Sequence, residues 1–159
     1  MKHFLKVFIQ WTKPLVRRIA EAYDIKTYKH CLAEGGHPLI IANFEYAKNN
    51  IPKSVYFNTM SGSITIGENA IFGGDVMLLT GTHYNIKQCE ESGHPLHYRP
   101  EAGGDITIGN GCFIASGAIV IGKVSIGDYS VVCAGAVVTK DVPSRSIVAG
   151  VPARVIRTI

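Results

Sequence analysis

The sequence predicts an all-β domain built as a coil: short flat strands wound into a three-sided prism whose successive 18-residue turns pair in parallel. Two observations predict it. Counting in sixes from Ile66 gives Phe72 and Leu78, then Ile108, Ile114, Val120, Ile126, Val132 and Val138, large and apolar at every sampled position. Four residues after each stand Ala70, Val76, Thr82, Cys112, Ala118, Val124, Ser130, Ala136 and Val142, all small or β-branched. A period of six matches neither the 3.6 of a helix nor an alternating strand of ordinary length. It suits a coil in which the large residue points inward, the small one faces a crowded axis, and Gly or Asn relieves the corners. A β-sandwich is the alternative, but its strands would scatter in length, whereas this spacing holds over two long stretches and survives the 30 residues between Leu78 and Ile108.

Composition narrows the class. The chain has 159 residues, 16 Lys plus Arg against 12 Asp plus Glu, and a formal charge of +4, which is one domain's worth of chain. At 47% hydrophobic it can bury a core, which excludes wholesale disorder. Uncharged stretches such as Cys112 to Ile121 are rich in Gly and Ala and fall well below the roughly 20 apolar residues of a membrane span. Met1 to Ala20 is interrupted by Lys2, Lys6, Lys13, Arg17 and Arg18 with no small-residue cleavage site, so a cytoplasmic protein is expected. Cys31, Cys89, Cys112 and Cys133 match neither a zinc knuckle nor a dense disulfide framework and are expected to be reduced. A pI near 8.9 without a dense basic run argues against nucleic acid and for a small anionic ligand.

Taken in order, residues 1–50 read as a helical or irregular cap. Lys2 to Trp11 and Pro14 to Tyr23 carry apolar residues at helical spacing, and Thr12 with Pro14 in the first turn starts the second helix. This basic amphipathic segment reads as a cover for the open end of the prism or a subunit contact, with peripheral membrane contact as the alternative. Gly35-Gly36-His37-Pro38 is a turn, and Leu39 to Ala42 an irregular strand leading into the coil. Residues 51–149 form the coil, with clear turns at Ile66 to His83, Ile108 to Ser125 and Ile126 to Pro143, and a poorer one around Lys48 to Thr65. The segment 84–105 breaks the hexad with Gly93, Pro95, Pro100, Gly103 and Gly104 and is expected to project as a long loop, a kind that is usually functional. Residues 150–159 are a tail bearing Arg154 and Arg157.

His83 stands at the last position of a regular turn, just before that loop. Its backbone is then fixed on the prism while its ring sits under a cover, as a general base requires. Imidazole has an ordinary pKa near 6.5, so its proton-accepting form is abundant at cellular pH. His94 and His97 share the loop and read as surface or acceptor-contacting residues; a zinc site made with His83 is the weaker alternative. Lys140, Arg154 and Arg157 suit a ligand's phosphates, or simply solvate the C-terminal surface. No nucleophile elbow, phosphate loop or dinucleotide fingerprint is present.

With these hexads, the His-bearing turn, the run Gly135-Ala136-Val137-Val138-Thr139-Lys140-Asp141-Val142-Pro143 and the run Ala149-Gly150-Val151-Pro152-Ala153-Arg154-Val155-Ile156-Arg157, the chain resembles the hexapeptide-repeat acyltransferases. The resemblance is to the maltose and galactoside O-acetyltransferase branch and the cell-surface polysaccharide O-acetyltransferases, over Ile64 to Ile159. It implies a left-handed parallel β-helix, an exception to the usual hand of parallel crossovers, assembled as a homotrimer with acetyl-CoA in the cleft between prisms. The family's catalytic histidine falls on His83. The backbone amide facing the thioester carbonyl falls on Ser116, and CoA contacts fall on Ser116, Ala134, Thr139, Lys140, Arg154 and Arg157. Acceptor contacts are carried over to Asn58, Tyr84 and Phe113, the last standing where relatives carry Trp. His83 is followed by Tyr84 where the maltose and galactoside enzymes have Pro, and the loop is longer. The implied reaction is direct acetyl transfer to a hydroxyl of a sugar or polysaccharide precursor, without metal. N-acetylation of an amino-sugar is the second reading; a non-catalytic trimeric scaffold or a carbonic-anhydrase-like metal enzyme ranks lower.

Overall fold

The computed structural model describes residues 25–27 and 32–159; the helices expected within Lys2 to Tyr23 lie outside the described residues. The hexads become strands on three faces. On the first face β2 (Leu32–Glu34), β4 (Tyr56–Asn58), β7 (Met77–Leu79), β10 (Ile119–Ile121) and β13 (Val137–Val138) stack in parallel, with β1 (Ile25–Thr27) antiparallel on β2. The second face stacks β3 (Leu39–Ile41), β5 (Ile64–Ile66), β8 (Ile106–Ile108) and β11 (Val124–Ile126). The third stacks β6 (Ile71–Phe72), β9 (Phe113–Ile114), β12 (Val131–Val132) and β14 (Ser146–Ala149), closed by β15 (Arg154–Thr158) running antiparallel. Val120 lies opposite Val138, Ile108 opposite Ile126 and Ile114 opposite Val132, each pair 18 residues apart.

The interior is what the hexad requires. Phe57, Leu78, Val120 and Val138 form one buried column, Ile66, Ile108 and Ile126 another, and Phe72, Ile114, Val132 and Val148 a third. Phe57 and Phe72 meet edge to face, centroids 6.3 Å apart. Ala70, Val76, Cys112, Ala118, Val124, Ser130, Ala136 and Val142 are buried beside them. Thr82 departs from this expectation. It is exposed, and Thr80 takes the inward position, because Gly81 (φ +72°) already turns the chain outward.

Corners carry a second regularity. Asn69, Gly111, Tyr129 and Arg145 occupy successive coils with φ between +56° and +62°, the left-handed geometry that a sharp corner demands. The column tolerates Tyr129 because Gly111 lies beneath it; a Cβ on Gly111 would stand 2.7 Å from the Tyr129 ring. Side-chain acceptors stitch the coils where the strand ladder lapses. Asp105 accepts from Ser63 N and Oγ, Asp128 from Asn110 N, and Asp141 from Ser125 N, all at 2.7 Å.

Two segments differ from expectation. Parallel pairing reaches back to Leu32–Glu34 and Leu39–Ile41, so coil-type strands occur within residues 1–50. Where a third side would follow, α1 (Phe44–Asn50) runs instead, capped by Asn43, whose side chain accepts from Tyr46 N at 3.0 Å; Lys48 to Thr65 therefore begins as the end of a helix. The projecting segment 84–105 contains α2 (Ile86–Ser92), set by the Asn85–Gln88 capping box and ended by Gly93 in the left-handed region.

The outer surfaces are unequal. The first face presents Met77, Leu79, Ile119, Ile121 and Val137, and the third presents Ile71, Phe113, Val131 and Ile147, whereas the second presents Ile40 followed by Thr65, Thr107 and Ser125. Among the described residues no helix is long and apolar enough to cross a membrane.

Candidate active site

The insertion leaves and re-enters the prism through a pinch at the corner between the first and second faces. Thr80 N donates to Asn58 O at 3.1 Å, and Ser61 N donates to Thr80 Oγ1 at 3.0 Å inside the wall. Gly81 packs on Ser61, and the returning Gly104 packs on Gly81 with its N–H donating to Ser61 O at 2.9 Å. The Ser61 hydroxyl is buried and lacks a partner among the described residues. Two residues beyond Gly81, His83 is exposed.

Neighbouring coils bring other predicted residues to the same edge. Asn58 stacks beneath Leu79, and Leu79 beneath Ile121; Thr139 and Lys140 directly follow β13 one coil further on. Asn58 Oδ1 accepts from Met60 N at 2.9 Å. Tyr84 N donates to Tyr98 O at 2.8 Å, and its ring joins a cluster in which His94 stacks on Tyr98 at 3.8 Å and 4°. His94 is thus held against Tyr98, and among the described residues no three His, Cys, Asp or Glu side chains gather as a metal site.

Ser116 and Ala134 lie on the opposite edge of the first face, one coil apart at the corner with the third face. Gly117 N donates to Gly74 O at 2.9 Å, and Gly135 N to Ser116 O at 3.0 Å. One coil further, Val137 N donates to Gly150 O at 3.0 Å and Ala153 N to Val137 O at 2.8 Å, which places Arg154 beside this corner. Arg157 lies opposite Ile147 on the third face. Lys140, Arg154 and Arg157 are exposed, and no salt bridge among the described residues includes them. Phe113 faces outward on the third face, three residues before Ser116.

Apart from Phe113 and Arg157 on the third face, the predicted residues therefore form two groups at opposite edges of the first face. Ser116 precedes β10 and Gly122 follows it, so Ser116 and the pinch that carries His83 stand at opposite ends of the first-face strands. Elsewhere, burial pushes the Cys112 thiol up, making it a core filler rather than a nucleophile. Hydrogen bonds from Ser63 hold the Asp105 carboxyl below its ordinary value. Burial, with the 2.7 Å bond to Glu34, raises the Tyr56 phenol. Sequence reasoning missed the Ser61–Gly81–Gly104 pinch and α2; Asn85 followed three residues later by Gln88 is the capping signal that would have revealed the helix.

The structure is a three-faced parallel β-helix with an exposed histidine at the root of an insertion. Residues 105–140 match the family described as bacterial transferase hexapeptide (six repeats). The chain is 38% identical over 136 residues to a putative acetyltransferase of Staphylococcus aureus, covering 76% of this chain and 68% of that protein. It is 36% identical over 127 residues to galactoside O-acetyltransferase of Escherichia coli, covering 73% of this chain and 57% of the relative's length. Its fold is similar to that of the hexapeptide-repeat acetyltransferase VCA0836 of Vibrio cholerae, solved with acetyl coenzyme A, at TM-score 0.55 and 24% identity over 82% of this chain and 68% of that one. The chain belongs to the hexapeptide-repeat acetyltransferase family, and its fold is the left-handed parallel β-helix.

Proposed function

We propose that the chain is an acetyl-CoA-dependent O-acetyltransferase that moves an acetyl group to a hydroxyl of a sugar or saccharide, working as a homotrimer in the cytoplasm, where acetyl-CoA is made available. The similarity to galactoside O-acetyltransferase carries this reading; the two residue groups on the first face support it. In the reaction, neutral His83 takes the proton of the acceptor hydroxyl as its oxygen attacks the thioester carbonyl. The backbone N–H of Ser116 donates to the developing oxyanion. The tetrahedral adduct collapses, breaking the C–S bond, and the thiolate of CoA leaves, taking the proton from His83 and returning it to its neutral form. Ala134 and Thr139 border the donor, and Lys140, Arg154 and Arg157 bind its phosphates as charge-assisted donors. Asn58, Tyr84 and Phe113 are the candidate acceptor contacts.

The trimer has physical support in the outer surfaces. Two of the three faces are apolar, while the second is polar apart from Ile40, and apolar faces of short repeat proteins need covering. Packing one prism's first face against the next would also set His83 of one chain across from Ser116 of another, whereas within one chain they stand at opposite ends of the first-face strands. Release of CoA from acetyl-CoA across a panel of sugars and glycosides tests the reading, with sedimentation on the same sample. No acceptor-dependent CoA release would overturn the enzyme, and a fully active monomer would overturn the shared site.

A further inference from the structure

The insertion is tied to the prism at its roots and, between them, at one point. Among the described residues, no hydrogen bond or ion pair joins residues 84–103 to the coils except that of His37, whose Nε2 lies 2.7 Å from Glu101 O. Burial does not replace the missing bonds, because α2 contributes no residue to the hydrophobic core of the prism. A carbonyl oxygen only accepts, so the proton of the half-buried His37 ring sits on Nε2. The turn that carries this ring is bolted down on both sides. His37 N donates to Thr59 O at 3.2 Å, Ile64 N donates to Pro38 O at 3.0 Å, and a Cβ on Gly35 would run into the backbones of Thr59 and Met60. Pro38 further restricts His37 to extended backbone.

The returning arm depends on that anchor. Three residues before Glu101, Tyr98 O accepts from Tyr84 N at 2.8 Å, and the two rings stand 5.4 Å apart. Tyr84 follows His83 directly. Two residues after Glu101, Gly103 (φ +91°) has no atom within 4 Å of an ideal Cβ, so nothing packed there sets the angle between the arm and the pinch. We propose that His37 is a positioning residue for acetyl transfer: by holding Glu101 against the first coil it fixes Tyr98, and through Tyr98 the backbone of Tyr84 beside the base. The inference rests on the acetyl-transfer reading. A single hydrogen bond of this kind shifts an equilibrium by about twofold to tenfold, which sets the size of the effect.

The test compares the wild type with His37→Ala, with His37→Phe, which keeps a ring without a donor, and with His37→Gln, which returns an N–H near the place of Nε2. Amide hydrogen exchange needs no acceptor. The Tyr84 amide should exchange about twofold to tenfold faster in the Ala and Phe variants and return to the wild-type rate in the Gln variant. The prism amides of Gly109 and Ile119, which donate to Ile126 O and Ala136 O, should not change. CoA release from acetyl-CoA with methyl β-D-galactopyranoside should show kcat/KM for the sugar lowered by a similar factor in the Ala and Phe variants and restored in the Gln variant, with the calorimetric Kd of acetyl-CoA unchanged. Wild-type exchange at Tyr84 in His37→Ala overturns the proposal, and so does a Phe variant that behaves as wild type, which leaves His37 a packing ring. Equal acceleration at Gly109 and Ile119 makes the loss global and overturns it as well. Faster Tyr84 exchange with an unchanged kcat/KM, or a loss that Gln does not restore, removes the positioning role. No CoA release by the wild type would instead count against the transfer reading, and the exchange ratio then judges the anchor by itself.

Discussion

Gly104→Ala should damage both the fold and the chemistry through one added methyl group. A Cβ at Gly104 would lie below 3.0 Å from Gly81 N and Cα and 3.1 Å from Ser61 O. All three obstacles are backbone, so none can swing aside. Gly104 lacks a positive φ, which leaves steric conflict as the whole cause. Overpacking of this kind costs about 1–3 kcal/mol, and loss of the 2.9 Å bond from Gly104 N to Ser61 O adds about 0.5–1.5 kcal/mol. A total of roughly 2–4 kcal/mol lowers the Tm of a chain this size by roughly 5–15 °C. His83 is two residues from Gly81, and a displacement of about 1 Å at a catalytic group can cost a hundredfold in rate. Calorimetry and CoA release should be measured beside Gly36→Ala, a control with nothing within 4 Å of the new Cβ, expected to stay within about 0.5 kcal/mol of wild type. If Gly104→Ala melts within about 2 °C of that control and turns over normally, the pinch does not hold the site.

Other substitutions separate the roles assigned above. His83→Ala should lower turnover at least about a hundredfold with CoA affinity nearly intact; near-normal turnover would remove it as the base. Arg154→Gln and Arg157→Gln should each weaken acetyl-CoA by about tenfold or more, since charge-assisted bonds to phosphate are worth about 1.5–3 kcal/mol. Both side chains are exposed, so apo Tm should barely move, and calorimetry showing unchanged affinity would reduce the tail to a structural cover. Asp105 is held below its ordinary 3.8 by Ser63, so its stabilisation is complete above that value and is lost as pH falls towards the lower folded pKa. Asp105→Ala should therefore destabilise near pH 7 and flatten the acid side of a urea-midpoint profile; a profile parallel to wild type would show that the Ser63 bonds do not stabilise the fold.

The sequence by itself determined the coil. Ile66, Ile108 and Ile126 recur at a fixed phase because each coil must place the same volume at the same point above its neighbour, and a stacked interior repeats in sequence as it repeats in space. It also determined the insertion's position and its histidine, since a break in a regular pattern is visible without coordinates. Residues 44–50 were harder to read: Phe44–Asn50 forms a helix because Asn43 caps it and Ala47 buries against the prism, and a strand-period count is blind to both. Only the tertiary structure decided how the site is arranged. Ser61, Gly81 and Gly104 are distant in the chain, and nothing local records that their backbones touch. Ser116 and His83, which the sequence assigns to one reaction, stand at opposite edges of one face, because strand direction and corner order, not residue type, set where a side chain ends up. The bond from His37 to Glu101, 64 residues further on, has the same origin: a histidine in a glycine turn carries no signal until the fold brings the returning arm of the insertion across it.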